Sequence, residues 1–515
     1  MKILIATPEA VPYIKTGGLA DVTGALVKEY RRMEEEAYII LPLYKKIKEV
    51  GAYGHTPLQD TGVKIRVPVG DKVREGKIFS NQSSAYFIGC DEFFDRQELY
   101  GTPGGDYIDN VSRFIFFSRG VLETCKTLNF KPDIIHCNDW QTALIPLYLK
   151  TLYKQDDFFI KTATLLTIHN LGYQGLFPSS EMPLTGLGWD LFNPEGIEFY
   201  GKVNLLKAGL ISAGILTTVS NTYAKEILNK EFGFGLEGVL KKREIDIYGV
   251  INGIDYEEWD PSKDKFIPED FSIEDLKGRA ECKRQLVKEV SLETGERPLI
   301  GMVGRLCAQK GLDLVLQSID ELLSLGVNLV ILGRGDEAFH IGFLEAAKRY
   351  KDRFSVIIGF EEPLAHKIYA GSDFFLIPSR YEPCGLGQLI APRYGSIPIA
   401  RRTGGPADTI QDYDPLTSKG TGFLFSDYTP SAMQDAIKRA LCVYTDRDKM
   451  QKMIINAMKK DFSWEKSAKR YIELYNVAIK KKRSHSSTGL HSWLPVERGE
   501  KAEQRCRKTK QASLP

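Results

Sequence analysis

Two doubly wound α/β domains, each built on a parallel sheet and facing the other across a cleft, are the architecture this sequence predicts. Three observations carry it. Residues 1 to about 240 alternate short apolar runs with helical patterns, the mark of a parallel sheet covered on both faces. The pattern starts afresh near residue 245, and 515 residues are more than one ordinary domain holds. Glycine-rich or polar stretches follow several of the runs directly, and sheets of this kind bind ligands beyond the carboxyl ends of their strands.

In the first half the strand-like runs are Lys2 to Ala6, Ala37 to Leu41, Ala85 to Gly89, Ile134 to His136, Leu165 to His169 and Leu216 to Val219. After the first run, Lys15-Thr16-Gly17-Gly18-Leu19-Ala20-Asp21 opens a helical stretch, Val22 to Tyr30. Glycines let backbone N–H groups approach a ligand, a helix start adds partial positive charge, and Lys15 adds a full one, which suggests an anion site. A purely structural glycine turn is the alternative. The spacing is neither the dinucleotide fingerprint nor a Gly-Lys-Ser/Thr phosphate loop.

In the second half the runs are Ile247 to Ile251, Leu299 to Val303, Leu329 to Leu332, Ser355 to Ile358 and Phe374 to Pro378. The first of these is read as opening the second sheet. A helix follows Gly385 and Gly387, and Thr403-Gly404-Gly405 forms a second glycine turn. From Trp464 to Lys482 the positions Ala468, Tyr471, Ile472, Tyr475, Ala478 and Ile479 recur at helical spacing. The boundaries read from this are a first domain over 1–244, a second over 245–463, a final helix over 464–482 and a basic, disordered tail over 483–515. Trp493 between Leu490 and Leu494 is the tail's one apolar feature.

Composition narrows the function classes. With 43% hydrophobic and 26% charged residues the chain reads as soluble and globular. The net charge is +2, but residues 480–515 carry a surplus of seven positive charges, leaving about −5 for the body. That gives no support for nucleic acid as a partner. No apolar run spans a membrane, no signal or transit peptide is seen, and eight scattered cysteines form no Cys-x-x-Cys pair. A cytoplasmic enzyme is expected, or a plastid one if the source is a plant or alga. His136 and Asp139 are three apart without further ligands nearby, and neither His-Glu-x-x-His nor Gly-x-Ser-x-Gly occurs. No metal or other cofactor is therefore expected.

Two clusters in the second half carry chemistry. Ser379-Arg380-Tyr381-Glu382-Pro383-Cys384-Gly385-Leu386-Gly387 places a carboxylate at a strand end and then glycines that open a helix. It reads as a hydroxyl-binding acid beside phosphate-binding N–H groups, or as an ordinary turn with a solvated Glu. Gly304-Arg305-Leu306-Cys307-Ala308-Gln309-Lys310-Gly311 also follows a strand. Arg305 and Lys310 fit two oxygens of a diphosphate, with surface salt bridging as the alternative. In the first half Asp139 and His169 fall on the same cleft as Lys15, although a lone His at a strand end is more often a structural hydrogen-bonding group.

Taken together the motifs resemble those of bacterial and plant glycogen (starch) synthases. Lys15 to Leu19 is similar to that family's N-terminal signature, and Ser379 to Leu386 with Arg402 to Gly405 to its C-terminal one. Between them lie Asp133 to Trp140, Leu166 to Phe177, Pro183 to Ser220, Asn252 to Asp255 and Arg305 to Asp313, so the likeness runs from residue 1 to about 482. It implies a retaining two-domain glycosyltransferase of GT-B type whose final helix crosses back to the first domain. The implied reaction is transfer of glucose from ADP-glucose to the non-reducing 4-hydroxyl of an α-1,4-glucan, without a metal. A glucan-binding protein of the same fold with weakened catalysis is the competing reading.

By the same resemblance, Glu382, His169, Asp139, Lys310 and Arg305 are the catalytic residues. Lys15, Gly18, Asp21, Asn252, Cys384, Gly385 and Leu386, again with Arg305 and Lys310, would bind the donor, and Asn170 and Tyr173 the acceptor. Domain closure would assemble the site, since its residues come from both halves. The sequence departs from the family at Pro392, where Leu or Met is usual, and at Pro406, Gly214 and Met33 to Ala37. A proline inside the helix after Glu382 would cost roughly 3 kcal/mol and tilt the donor-binding segment.

Overall fold

The computed structural model of the chain describes residues 1–50, 58–102, 104–293 and 295–487. The first sheet is built from β1 (Lys2–Ala6), β2 (Glu36–Pro42), β3 (Gln59–Val69), β4 (Lys72–Ser80), β5 (Ala85–Gly89), β6 (Ile134–Asn138), β7 (Ala163–Ile168), β8 (Ile215–Thr218) and β9 (Ile247–Gly249). Their spatial order is β9-β8-β7-β6-β1-β2-β5-β4-β3. The second sheet contains β10 (Leu299–Val303), β11 (Asn328–Gly333), β12 (Phe354–Ile358), β13 (Phe374–Ile377), β14 (Ile397–Arg401) and β15 (Phe423–Phe425), in the order β12-β11-β10-β13-β14-β15. All pairs in the second sheet are parallel.

Each central strand is buried on both faces: β1, β6, β7, β11 and β13 read as nearly continuous apolar runs because helices cover both sides. The two sheets have separate hydrophobic cores. Both chain orders reverse at one point, between β1 and β6 in the first sheet and between β10 and β13 in the second. Connections diverge there and leave a crevice at the carboxyl ends of the paired strands.

The first sheet differs from the expected parallel one at its edge. β3 and β4 form an antiparallel hairpin that also pairs antiparallel with β5. Much of β3 is solvent-exposed, so its sequence lacks the continuous apolar run that marks the other strands. A second correction concerns Ile247 to Ile251: β9 pairs parallel with β8, Leu216 opposite Ile247. It ends the first sheet, and the second begins only at Leu299. A strand of three residues carries no signal of which neighbour it joins.

The helices that matter for the site are α1 (Gly18–Arg32), α2 (Asn221–Glu226), α3 (Glu362–Gly371), α4 (Gly387–Arg393), α5 (Gly404–Thr409) and α6 (Trp464–Ser487). Helix α6 does cross back. Its Tyr471 and Tyr475 are buried in the first core, and burial of each such ring stabilises by roughly 2 kcal/mol. The Tyr475 hydroxyl lies 2.9 Å from that of Tyr30 and 2.7 Å from Nδ1 of His136. The helix runs five residues past the expected end, so the described part of the expected tail, 483–487, is helical; Trp493 lies outside the described residues.

The two crossings between domains touch each other. Ile254 donates its N–H to the Phe462 carbonyl at 2.8 Å, and a side chain on Gly253 would run into the backbone of Trp464. Pro392 sits in the last turn of α4, which ends at Arg393. It therefore forfeits one terminal hydrogen bond, and the N-terminal turn after Glu382 forms regardless.

Candidate active site

The switch point of the first sheet presents the loop after β1. Glu9, buried, accepts from the Thr16 backbone and hydroxyl and from the Tyr100 hydroxyl at 3.0 Å, and so fixes the path of the glycine turn. Sequence reasoning missed Glu9, which no motif includes. Lys15 reaches Asp21 at 2.7 Å, while the other Asp21 oxygen is buried without a hydrogen-bond partner among the described residues. Gly18 opens α1 across the cleft from Leu386: a Cβ there would lie 3.8 Å from that side chain. The predicted residues Lys15, Gly18, Asp21 and Leu386 thus meet although 365 or more residues separate the first three from the last.

After β6 the chain turns sharply at Asp139, which has a left-handed φ of 54°. Its Oδ1 accepts the His169 N–H at 2.7 Å, tying the ends of β6 and β7 together. His169 Nε2 lies 2.9 Å from Oδ1 of Asn138, the last residue of β6. Burial drives the His169 imidazole down to about 3, so it is neutral at physiological pH. Burial also raises the Asp139 carboxyl to about 7, with the Glu9 charge adding to the effect and the His169 N–H opposing it.

In the second sheet the loops after β10 and β13 face each other. Lys310 Nζ donates to Glu382 Oε2 at 2.6 Å, and the Ser379 hydroxyl donates to the same oxygen at 2.7 Å. Glu382 is 4% exposed, so its charge is held in a shell of donors instead of water. Gly385 takes a φ of 79°, which bends the chain into α4. A small pocket of about 60 Å³ is lined by Gly304, Arg305, Lys310, Ser379, Glu382 and Leu386 among others. It adjoins no group from the first sheet. A larger cavity of about 470 Å³ runs between the domains, bordered by Lys15, Asp21, Glu258, Leu386 and Ile390.

Contacts across the cleft join the halves. Arg305 Nη1 donates to the Tyr173 hydroxyl at 3.2 Å, and Asn170 Nδ2 to Gln309 Oε1 at 3.4 Å. Ser220 donates its hydroxyl to the Pro383 carbonyl at 2.6 Å. Glu226, at the end of α2, accepts from the Thr403 hydroxyl at 2.9 Å and from the Gly404 N–H at 3.1 Å. The second glycine turn in turn supports the first acid: the Gly405 N–H donates to the Glu382 carbonyl at 3.0 Å.

Three predicted donor-binding residues, Gly18, Asn252 and Cys384, are not in the lining of either cavity, and the last two have buried side chains. The Cys384 side chain is buried in the second core, where burial pushes its thiol up to about 12. Asn252 is buried too, its Oδ1 without a partner among the described residues. Position in a motif does not reveal which way a side chain points.

Residues 2–242 match the family model described as the starch synthase catalytic domain, and residues 283–460 that of glycosyl transferases group 1. The chain is 45% identical to a glycogen synthase of Thermodesulfovibrio yellowstonii over 505 residues, covering 95% of this chain and 100% of that protein. The chain belongs to the glycogen and starch synthase family of glycosyltransferases. A glycogen synthase of Geotalea daltonii is 47% identical over 94% of this chain and its own whole length.

Among solved structures the catalytic domain of Arabidopsis thaliana starch synthase IV, bound to ADP and acarbose, superposes with a TM-score of 0.85 at 35% identity, covering 93% of this chain and 99% of that one. A sucrose-phosphate synthase of Thermosynechococcus elongatus shares the fold alone, at 15% identity and a TM-score of 0.58 over 92% of this chain and 98% of that one. Among the described residues no helix is long and apolar enough to cross a membrane.

Proposed function

We propose that this protein transfers glucose from ADP-glucose to the non-reducing 4-hydroxyl of an α-1,4-glucan, with retention of configuration. The observation that carries the reading is that Leu386 borders both the pocket lined by Arg305, Lys310 and Glu382 and the interdomain cavity lined by Lys15, with the Gly18 turn packed against it. The ADP and acarbose bound by the Arabidopsis relative support the two substrate classes.

In this reading Arg305, Lys310 and Lys15 neutralise the departing diphosphate, and the N–H groups at Gly18 and at Gly385-Leu386 donate to its oxygens. Fixed charges and donors of this kind stabilise a transition state without having to reorganise. Glu382 accepts from hydroxyls of the transferred sugar, exchanging part of its bonding to Ser379 and Lys310 for them. His169, neutral, and Asp139 line the sugar from the first domain. Asn170 and Tyr173, at the seam between domains, meet the incoming glucan end.

The protein supplies the cations itself, so the transfer step needs no metal. Near-balanced charge, bacterial relatives and free cysteines support a cytoplasmic site of action.

The test is incorporation of labelled glucose into glycogen from ADP-glucose and, separately, UDP-glucose, with and without chelator. Transfer from ADP-glucose in chelator is expected, with Glu382→Gln lowering the rate at least 100-fold. No transfer from either donor by folded protein would overturn the reading.

A further inference from the structure

Away from the catalytic loops, three side chains come together beside the interdomain cavity, which Glu258 borders. Glu362 and His366 stand at i and i+4 on α3, one turn apart on the same face. Glu258 comes from the segment that links the two sheets. One ligand atom from each lies within 4.8 Å of the others, a spacing that a single cation with bonds of about 2.1 Å can draw together.

An acidic pair alone would mean little. The decisive group is His366, 1% exposed, whose Nε2 has no hydrogen-bond partner among the described residues. Its Nδ1 is engaged by Asp264 Oδ2 at 2.7 Å, and Asp264 is itself fixed by the Tyr394 hydroxyl at 2.5 Å. That arrangement turns Nε2 into the available ligand atom and holds the ring, in the manner of a carboxylate behind a metal-ligating histidine. Trp259 stacks on the imidazole with centroids 4.0 Å apart and planes 10° apart, adding an apolar wall.

A buried ring nitrogen without a partner costs free energy, and two carboxylates close together repel. A cation satisfies all three groups at once. The donor set, one nitrogen and two carboxylates, suits a first-row divalent ion such as Zn²⁺ or Mn²⁺, with water completing the shell.

We propose that Glu258, Glu362 and His366 form a divalent-cation site that pins the interdomain linker to α3. Glu258 borders the same cavity as Lys15 and Asp21, so the ion fixes one wall of the donor cleft. It takes no part in the transfer step.

The full-length protein, stripped with chelator, is titrated with Zn²⁺ by calorimetry, and its melting temperature is followed in parallel. One tight equivalent and a raised melting temperature are expected. Glu362→Gln and Glu258→Gln, both at exposed positions, should each weaken that equivalent at least tenfold and abolish the thermal shift. His366→Gln should do the same, and the Glu variants decide if it does not fold. Binding as tight in the Glu variants as in the parent would place the ion elsewhere, for instance on His485 or His491, and overturn the assignment. So would no binding by the parent. Both readouts are independent of glucosyl transfer, so inactivity of the enzyme leaves this test standing.

Discussion

Gly404 packs against the backbone of Glu382, the carboxylate proposed to hold the transferred sugar, and replacing it by Ala should be severe. Its φ is 42°, in the left-handed region, and a Cβ would overlap the carbonyl oxygen of Glu382. Ordinary contact begins near 3.4 Å, so either α5 or the Glu382 backbone must retreat by ~1 Å or more. Retreat of α5 is resisted from the other domain, because Glu226 holds the Gly404 N–H and the Thr403 hydroxyl. The Pro383 carbonyl is likewise tied to Ser220 of the other domain, so the strain falls on the Glu382 carbonyl that the new Cβ meets directly, and Glu382 should shift. A misplacement of about 1 Å in a positioned group costs on the order of 100-fold in rate. The left-handed conformation adds roughly 1 kcal/mol for a residue with a Cβ. Labelled-glucose transfer and calorimetry on Gly404→Ala should show kcat down about 100-fold, KM for the glucan within a few-fold, and the melting temperature lowered by a few degrees. A variant with parental kcat would refute the claim that this turn positions Glu382.

Two further outcomes follow from the same geometry. Asp139 has a folded pKa of about 7 against an ordinary 3.8, so between those values the folded state keeps a proton that the unfolded state releases. Stability from this group is lost as pH rises from about 4 to about 7. Asp139→Asn, which keeps the acceptor for His169 and tolerates φ > 0, should match the parent near pH 4 and melt a few degrees higher at pH 8; scans with no pH-dependent gap would exclude the buried-acid account. Pro392→Leu restores one hydrogen bond at the end of α4, not an interior turn, so calorimetry should show a rise of about 2 °C, for ~1 kcal/mol or less. A fall would mean that the buried position has no room for the larger side chain.

The likeness between sequence and structure is uneven for physical reasons. Strands covered on both faces must be apolar throughout, so β1, β6, β7 and β13 were legible, as were the turns that follow them. The exposed hairpin β3-β4 and the three-residue strand β9 obey no such rule, and the domain boundary was placed before β9 instead of after it. For the site, the polar residues at strand ends were recognisable: Lys15, Asp139, Arg305, Lys310 and Glu382 follow the strands of the two switch points, and His169 follows the neighbouring β7. Their supports were not. Glu9 and Glu226 act through contacts with loops that no local pattern connects to them, and Cys384 and Asn252 share a motif with pocket residues while facing the core.

What the sequence determined by itself was therefore the local and periodic part: two parallel sheets, glycine turns at their strand ends, a last helix with an apolar face, and the family. Hydrophobic period and glycine conformation are properties of neighbouring residues and are written in order along the chain. Only the tertiary structure decided that Gly18 meets Leu386, that Gly404 lies against Glu382, and that His366 comes within reach of Glu258 and Glu362. Such contacts join positions far apart in sequence through packing and shared hydrogen bonds, and a one-dimensional pattern does not specify them.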